Sequence, residues 1–363
     1  MTNYRITPWQ TFNSQWLWHA MRDTAYGGAT PTFLIAKANR RGSPYAGANL
    51  AVWSTAADTN TWNKFVNQST GATDIEFSND DPFPAGMIYV SYLPMYPFSR
   101  VQRKINEWSR SPKVGQTASA TNFIIGNATA RANGDGRTAP ALPFYGFKLT
   151  NANANTKNNM ILTAHNHPDE VQGAYQLEGA INWLLSGVAA AETLLDWFNV
   201  YVYPCLNPQG VYGGYFRSSP QTAASDNNRI WNTTGTNEAV DAFKTAMTAD
   251  TGGVVEVGID FHGASFINVP AYMDAEDHTA ALYSDFLTKM QTLNASFSYL
   301  DETITQCLGY LWQHTYSARL SLMCECMCLS ATDFPAAWIT NGAHAMQSIS
   351  SMLSDGLFTN GPE

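Results

Sequence analysis

With 363 residues the chain is long enough for two domains, because single cores rarely grow past about 250–300 residues. Charged residues make up only 13%, against the roughly 25% of ordinary soluble domains, while 45% hydrophobic residues supply a large core. The net charge of −9 is split: residues 1–150 hold 14 Lys+Arg and 8 Asp+Glu (+6), and residues 151–363 hold 6 and 21 (−15). A nucleic-acid partner is argued against, since its phosphates would meet a largely acidic protein.

The N-terminus, Met1-Thr-Asn-Tyr-Arg-Ile6, has no apolar signal region, so nothing in it directs the chain through a membrane, and a cytoplasmic location is expected. Residues 1–95 read as short strands between turns. Thr32–Ala38, Leu50–Ser54, Asp74–Phe77 and Met87–Tyr92 are apolar or alternating, and the segments between them are rich in Gly, Pro, Asn and Asp. This predicts a small antiparallel β-sandwich. Pro94-Met-Tyr-Pro97 closes it, and Ser99 is expected to cap a helix carrying Val101, Ile105 and Trp108 at helical spacing.

Over residues 96–363 strands alternate with helices. Met160–Ala164, Val200–Leu206 and Val254–Phe261 have the character of buried strands, and Val171–Leu185, Glu238–Thr248 and Thr279–Leu293 that of helices. The fold class expected here is α/β, with a mixed sheet flanked by helices. The most apolar stretch, Ala180–Leu195, is interrupted by Asn182 and Glu192 and reads as a core helix, not a membrane span. Five cysteines, three of them at Cys324, Cys326 and Cys328, make a poor disulfide framework and suit a reducing compartment. Cys-x-Cys-x-Cys lacks common zinc spacing, so packing is the reading for these thiols.

Chemistry concentrates where strands end. His167-Pro-Asp-Glu170 lies between the strand ending at Ala164 and the helix from Val171, and residues three apart share a face once a helix begins. Alone the pair is ambiguous, because Glu170 would also favour a helix N-terminus. Asp260-Phe-His262-Gly comes at the end of another buried strand, on the rim where open α/β sheets bind ligands. Two histidines and one glutamate complete a three-ligand metal set that leaves a position for water. His165 is a competing ligand two residues from His167, and the His-x-x-Glu register favours His167.

Further motifs follow: Asn207-Pro-Gln-Gly210-Val, Gly214-Tyr-Phe-Arg217 and Asp226-Asn-Asn228-Arg229-Ile-Trp231. With the ligand motifs, in order and spacing from about Met160 to Ala264, they resemble the zinc metallocarboxypeptidase family, most closely its cytosolic carboxypeptidase branch. The Pro-Met-Tyr-Pro-Phe-Ser exit also looks like that of the small domain preceding the catalytic one in that branch. The resemblance implies two units, residues 1–95 and 96–363, and one zinc ion per chain on His167, Glu170 and His262. It implies that Arg217 stabilises an oxyanion, that Asn228 and Arg229 hold a substrate carboxylate, and that Asp226 orients His167. A glutamate on a late strand serves as general base in the family. Glu325, within Ser321-Leu-Met-Cys-Glu-Cys-Met, is an acid in an apolar run that is costly to bury without purpose.

The implied activity is hydrolysis of the C-terminal amide bond of a peptide or protein tail. Branch relatives point to acidic tails, although Arg319 is the one unassigned arginine beyond residue 150. Two other readings stay open: a zinc deacylase acting on N-acyl amino acids, and an inactive binding module. The family's substrate-side tyrosine has no clear counterpart, with Tyr310 and Tyr316 as candidates. Gln209 replaces the usual Asp of Asn-Pro-Asp-Gly, and Gly210 is expected to supply a positive φ in that turn.

Overall fold

Long apolar runs without alternation call for a sheet covered on both faces, and the computed structural model contains one. It describes residues 3–6, 20–36, 51–71, 74–91, 93–132, 138–151, 157–215, 217–222, 226–264, 271–275, 280–301, 304–327 and 335–358. Eight strands form the large sheet: β1 (Val114–Gln116), β2 (Phe147–Leu149), β3 (Asn158–Ala164), β4 (Phe198–Tyr203), β5 (Val257–Ala264), β6 (Ala271–Ala275), β7 (Phe297–Asp301) and β8 (Leu320–Met327). Their order is β7-β6-β8-β5-β3-β4-β2-β1. The central four, β8, β5, β3 and β4, run parallel. Beside them β6 and β2 run antiparallel, so the sheet is mixed. Met160, Ile161, Leu162, Val200 and Val202 are fully buried, which is why β3 and β4 carry consecutive apolar residues at their centres.

The helices are α1 (Phe98–Trp108), α2 (Val171–Leu184), α3 (Ala189–Trp197), α4 (Pro208–Gly213), α5 (Glu238–Thr251), α6 (Ala281–Leu293), α7 (Leu308–Thr315) and α8 (Ala336–Ser354). The expected helix over Ala180–Leu195 is two helices. The first ends at Leu184, and Gly187, at φ 77°, turns the chain into α3. Helix α2 crosses α8 with the two backbones nearly touching: a Cβ on Gly342 would sit 1.8 Å from Gln176 O, and one on Gly179 1.8 Å from Ile339 O. Among the described residues no helix is long and apolar enough to cross a membrane.

Two four-stranded sheets occupy the N-terminal part. One runs in the order Asn3–Ile6, Thr32–Ala36, Asp74–Ser78, Asn67–Thr70, and the other in the order Ala20–Asp23, Ile88–Ser91, Val52–Ser54, Asn63–Lys64. Pairing is antiparallel except between Asn3–Ile6 and Thr32–Ala36, which are parallel. Aromatic side chains, including Tyr26, Phe33, Phe65, Phe77 and Phe83, pack as one cluster there. Ser99 does not cap α1. The helix begins one residue earlier, behind Pro97, whose fixed φ suits a helix entrance.

A buried ionic cluster joins the N-terminal sheets to the rest. Arg100 of α1 is 1% exposed and pairs through Nη2 with Glu178 of α2 at 2.8 Å, while its Nη1 donates to Asp58 at 3.3 Å and to Thr59 O at 3.1 Å. Tyr96 and Tyr175 flank the guanidinium at 4.8 Å each. Lys104 reaches the second oxygen of Glu178 at 2.9 Å. Each charge therefore has an opposite neighbour, the condition under which ionic groups are tolerated in an interior.

Candidate active site

The chain leaves β3 at Ala164 and turns through His165, held at φ 55°, before α2 begins at Val171. Glu170 precedes that helix but makes no capping bond with its side chain. Its carboxylate points instead at two imidazoles: Oε1 lies 2.9 Å from His167 Nδ1, and Oε2 lies 2.7 Å from His262 Nδ1. His262 comes from β5, whose strand runs on to Ala264 and so carries the histidine within the sheet rather than after it. The His167, Glu170 and His262 donor atoms all lie within 4.8 Å of one another, the spacing of groups able to hold one metal ion.

The far nitrogens are also engaged. His167 Nε2 is 2.8 Å from Asp226 Oδ1, and His262 Nε2 is 2.7 Å from Asp260 Oδ2. A carboxylate on Nε2 fixes its proton there and leaves Nδ1 free to bind a metal. Burial opposes charge on His262, yet Asp260 and Glu170 together hold its pKa well above the ordinary value. Burial likewise works against the Glu170 carboxylate, but the two imidazoles depress its pKa. Asp226 is depressed by His167 and Arg217 against the same cost.

His165 stands apart from this group. It is 1% exposed, and its ring packs edge-on against Tyr96 with centroids 5.7 Å apart. Neither ring nitrogen has a hydrogen-bond partner, and burial lowers its pKa to about 4.

Arg217 donates from Nε to Asp226 at 2.7 Å and from Nη1 to Glu170 at 3.2 Å. Glu325 sits directly opposite His262 in the β5–β8 register, so both project from the same face. Cys324 and Cys326 face the other way, into the core; Cys328 lies outside the described residues. Glu325 is 9% exposed, and among the described residues its Oε2 has no hydrogen-bond partner. Burial and the neighbouring Glu170 raise its pKa to about 8, against the pull of His262 and Arg217.

Asn228 is buried. Its Oδ1 accepts from Asn166 Nδ2 at 2.8 Å and Leu308 N at 3.0 Å, and its Nδ2 has only a weak sulfur acceptor, Met323 Sδ at 3.3 Å. Arg229 is half-buried and donates to Asn228 O at 3.1 Å. Tyr316 is committed elsewhere, against Thr248 of α5 at 2.9 Å, and Tyr310 stacks on His314. Gly210 does not adopt a positive φ; that conformation belongs to Gly214, after α4. A glycine is needed at 210 for space, since a Cβ would lie 2.5 Å from both Asn207 Oδ1 and Pro168 Cγ.

Two residues of the site escaped the sequence reading. Asp260 holds His262 and accepts from Thr163 at 2.7 Å. Asn166, fully buried, joins Asp260 at 2.9 Å to Asn228 and accepts from Trp231 Nε1 at 3.2 Å. The two-residue spacing of Asp260 and His262 on one strand was a signal for the first, because alternate residues share a face. Asn166 gave none beyond lying between two histidines.

A family model described as zinc carboxypeptidase matches residues 131–323. Among curated proteins, human cytosolic carboxypeptidase 2 is 35% identical over 98 residues, 27% of this chain and 11% of that protein. The Danio rerio protein of the same description is 27% identical over 148 residues, 41% of this chain and 19% of its own length. The matches therefore cover a small part of these longer relatives. A metallo-carboxypeptidase from Pseudomonas aeruginosa, solved with (2-guanidinoethylmercapto)succinic acid, superposes with a TM-score of 0.78 at 16% identity, covering 98% of this chain and 94% of that one. One from Burkholderia cenocepacia gives 0.77 at 16% identity, covering 97% and 93%. At such identities the likeness shows a shared fold.

Proposed function

From a chain that belongs to the zinc carboxypeptidase family, we propose a zinc-dependent metallocarboxypeptidase that removes the C-terminal residue of peptides or protein tails. The observation that carries this reading is the pair of imidazoles turned toward Glu170 by carboxylates on their far nitrogens, with Glu325 across the strands from one of them. Two nitrogens, one carboxylate oxygen and a second layer of aspartates fit zinc. His167, Glu170 and His262 would hold one ion, which when bound supplies the Lewis acidity that makes a water acidic near neutral pH.

The protein's own groups do the rest. Glu325, with an unpartnered oxygen and a raised pKa, would take the water's proton and return it to the leaving amine. Arg217 would turn from its carboxylates to donate to the oxyanion formed at the amide carbon. The Arg229 guanidinium would meet the free terminal carboxylate as a two-pronged pair, helped by the weakly engaged amide of Asn228. In this reading residues 1–95 are a separate unit set against the catalytic residues 96–363. Four free buried cysteines among the described residues accord with work in a reducing compartment such as the cytoplasm.

A test is incubation of the zinc-loaded protein with an unblocked peptide and, separately, with N-acyl amino acids. Mass loss of one C-terminal residue from the peptide is expected. Turnover of the acylated amino acid alone would make the protein a deacylase.

A further inference from the structure

Asn166 lies in the turn between β3 and α2, is fully buried, and has all four hydrogen-bonding positions of its amide engaged. Its Nδ2 donates to Asp260 Oδ2 at 2.9 Å and to Asn228 Oδ1 at 2.8 Å. Its Oδ1 accepts from Trp231 Nε1 at 3.2 Å and from Asn227 Nδ2 at 3.3 Å. The partners dictate which way the amide lies, since an ionised carboxylate only accepts and an indole N–H only donates. The ligand turn, β5 and the segment 226–231 therefore meet on one side chain.

The two groups that receive from Asn166 serve different parts of the site. Asp260 Oδ2 also accepts from His262 Nε2 at 2.7 Å, and Thr163 Oγ1 donates to its other oxygen at 2.7 Å. The buried carboxylate that aims His262 is thus itself held by Asn166 and Thr163. Asn228 Oδ1 also accepts from Leu308 N, at 3.0 Å, in the first turn of α7. A backbone N–H can only donate, so Leu308 and Asn166 together pin that oxygen. The NH2 of Asn228 is left facing Met323 Sδ, a weak acceptor at 3.3 Å, on the strand that carries Glu325.

We infer that Asn166 is a positioning residue that fixes the aim of His262 and the donor face of Asn228 together, so that metal affinity and recognition of a free carboxylate depend on the same side chain. The inference rests on the proposed peptidase reading, which gives Asn228 its carboxylate. Its physical basis is the cost of an unmade bond in an interior. Without the Asn166 amide, Asp260 Oδ2 and Asn228 Oδ1 each lose a donor, and both side chains are out of reach of bulk water. Each is then free to turn, and the ring of His262 and the NH2 of Asn228 turn with them.

The experiment uses Asn166→Leu, which keeps the size and removes both donors, and Asn166→Ala, which serves if the first fails to fold. Zinc Kd is measured by competition with a chromophoric chelator. Peptide Kd is measured by calorimetry at saturating zinc on protein that also carries Glu325→Gln, with one peptide sequence offered free or amidated at its C-terminus. Each folded variant should bind zinc about 10–100-fold more weakly. Its preference for the free over the amidated peptide should shrink by about tenfold. A merely structural role would lower the melting temperature and leave both quantities unchanged, which would overturn the inference, as would a change in only one of them. Absence of any free-carboxylate preference with Asn166 intact is a failure of the carboxypeptidase reading, and the joint role falls with it. A preference that is present there and survives in the variants overturns the inference alone.

Discussion

His167 and His262 each turn one ring nitrogen to Glu170 and the other to an aspartate, whereas among the described residues neither ring nitrogen of His165 is paired with a carboxylate. That contrast separates the ligand register from its neighbour. His167→Ala and His262→Ala should each abolish zinc binding, measured by metal analysis after dialysis, while His165→Ala should keep one zinc per chain. Loss of metal in the His165 variant alone would reassign the site. Glu325→Gln should retain zinc and lower kcat by about two to four orders of magnitude, the scale of losing a general base. The same variant has a second signature in metal-free protein. Native Glu325 keeps its proton up to about pH 8, whereas the unfolded carboxyl releases it near its ordinary 4.5. Between those values the native state binds more protons, so rising pH disfavours folding, and above about 8 the loss levels off. Thermal melts should therefore show the Gln variant gaining on the unmodified protein from pH 5 to pH 8; a constant gap would place Glu325 in a more polar setting. The His167, Glu170 and His262 group was legible because its spacing is local to turns and strand ends. Asp260 gave only its two-residue spacing from His262, and Asn166 gave no signal, because its partners Asn228, Trp231 and Asp260 lie 62, 65 and 94 residues away along the chain.

Helix α8 shows why an element can escape a reading by pattern. Trp338, Ala345, Met346, Ile349, Met352 and Leu353 fall at helical spacing, but Asn341, Gly342 and the hydroxylated residues among its 19 break up the stripe. Packing makes it a helix: Gly179 and Gly342 let α2 and α8 approach backbone to backbone, and Asn341 Nδ2 donates to Gln176 at 2.9 Å. Gly342→Ala gains helix propensity yet inserts a methyl 1.8 Å from a carbonyl oxygen, so the axes must separate. The net effect should be destabilisation by about 1–3 kcal/mol in urea unfolding. A stabilised variant would mean the crossing is looser than described. The split of Ala180–Leu195 has another cause: apolar residues lie on both sides of the Ser186-Gly187 turn, which ends the first helix. Strands β3, β4 and β5 were found within a few residues because they are buried on both faces and carry no competing signal.

Across the whole molecule, the N-terminal sheets meet the part that carries the candidate site through Arg100, Glu178 and Asp58. The sandwich itself was readable from alternating strands and turns, but this junction was not, since Asp58, Arg100 and Glu178 are far apart in sequence and look like ordinary surface charges. Arg100→Ala would take from the buried Glu178 its partner at 2.8 Å and leave it Lys104 alone, while Asp58 keeps Arg103, and should cost about 3–5 kcal/mol, the scale for breaking a buried pair. Denaturant unfolding measures it, and a change below 1 kcal/mol would show that water takes the arginine's place at the junction. The proposed function is an action on chain ends, and one comparison addresses that directly. Paired peptides of identical sequence, one with a free C-terminal carboxylate and one amidated, are offered to the zinc-loaded protein and followed by mass spectrometry. Amidation removes the charge that the Arg229 guanidinium would pair with, so a charge-assisted contact of about 1.5–3 kcal/mol is lost and cleavage should fall by at least tenfold. Equal rates on the free and amidated peptides would contradict the carboxypeptidase reading.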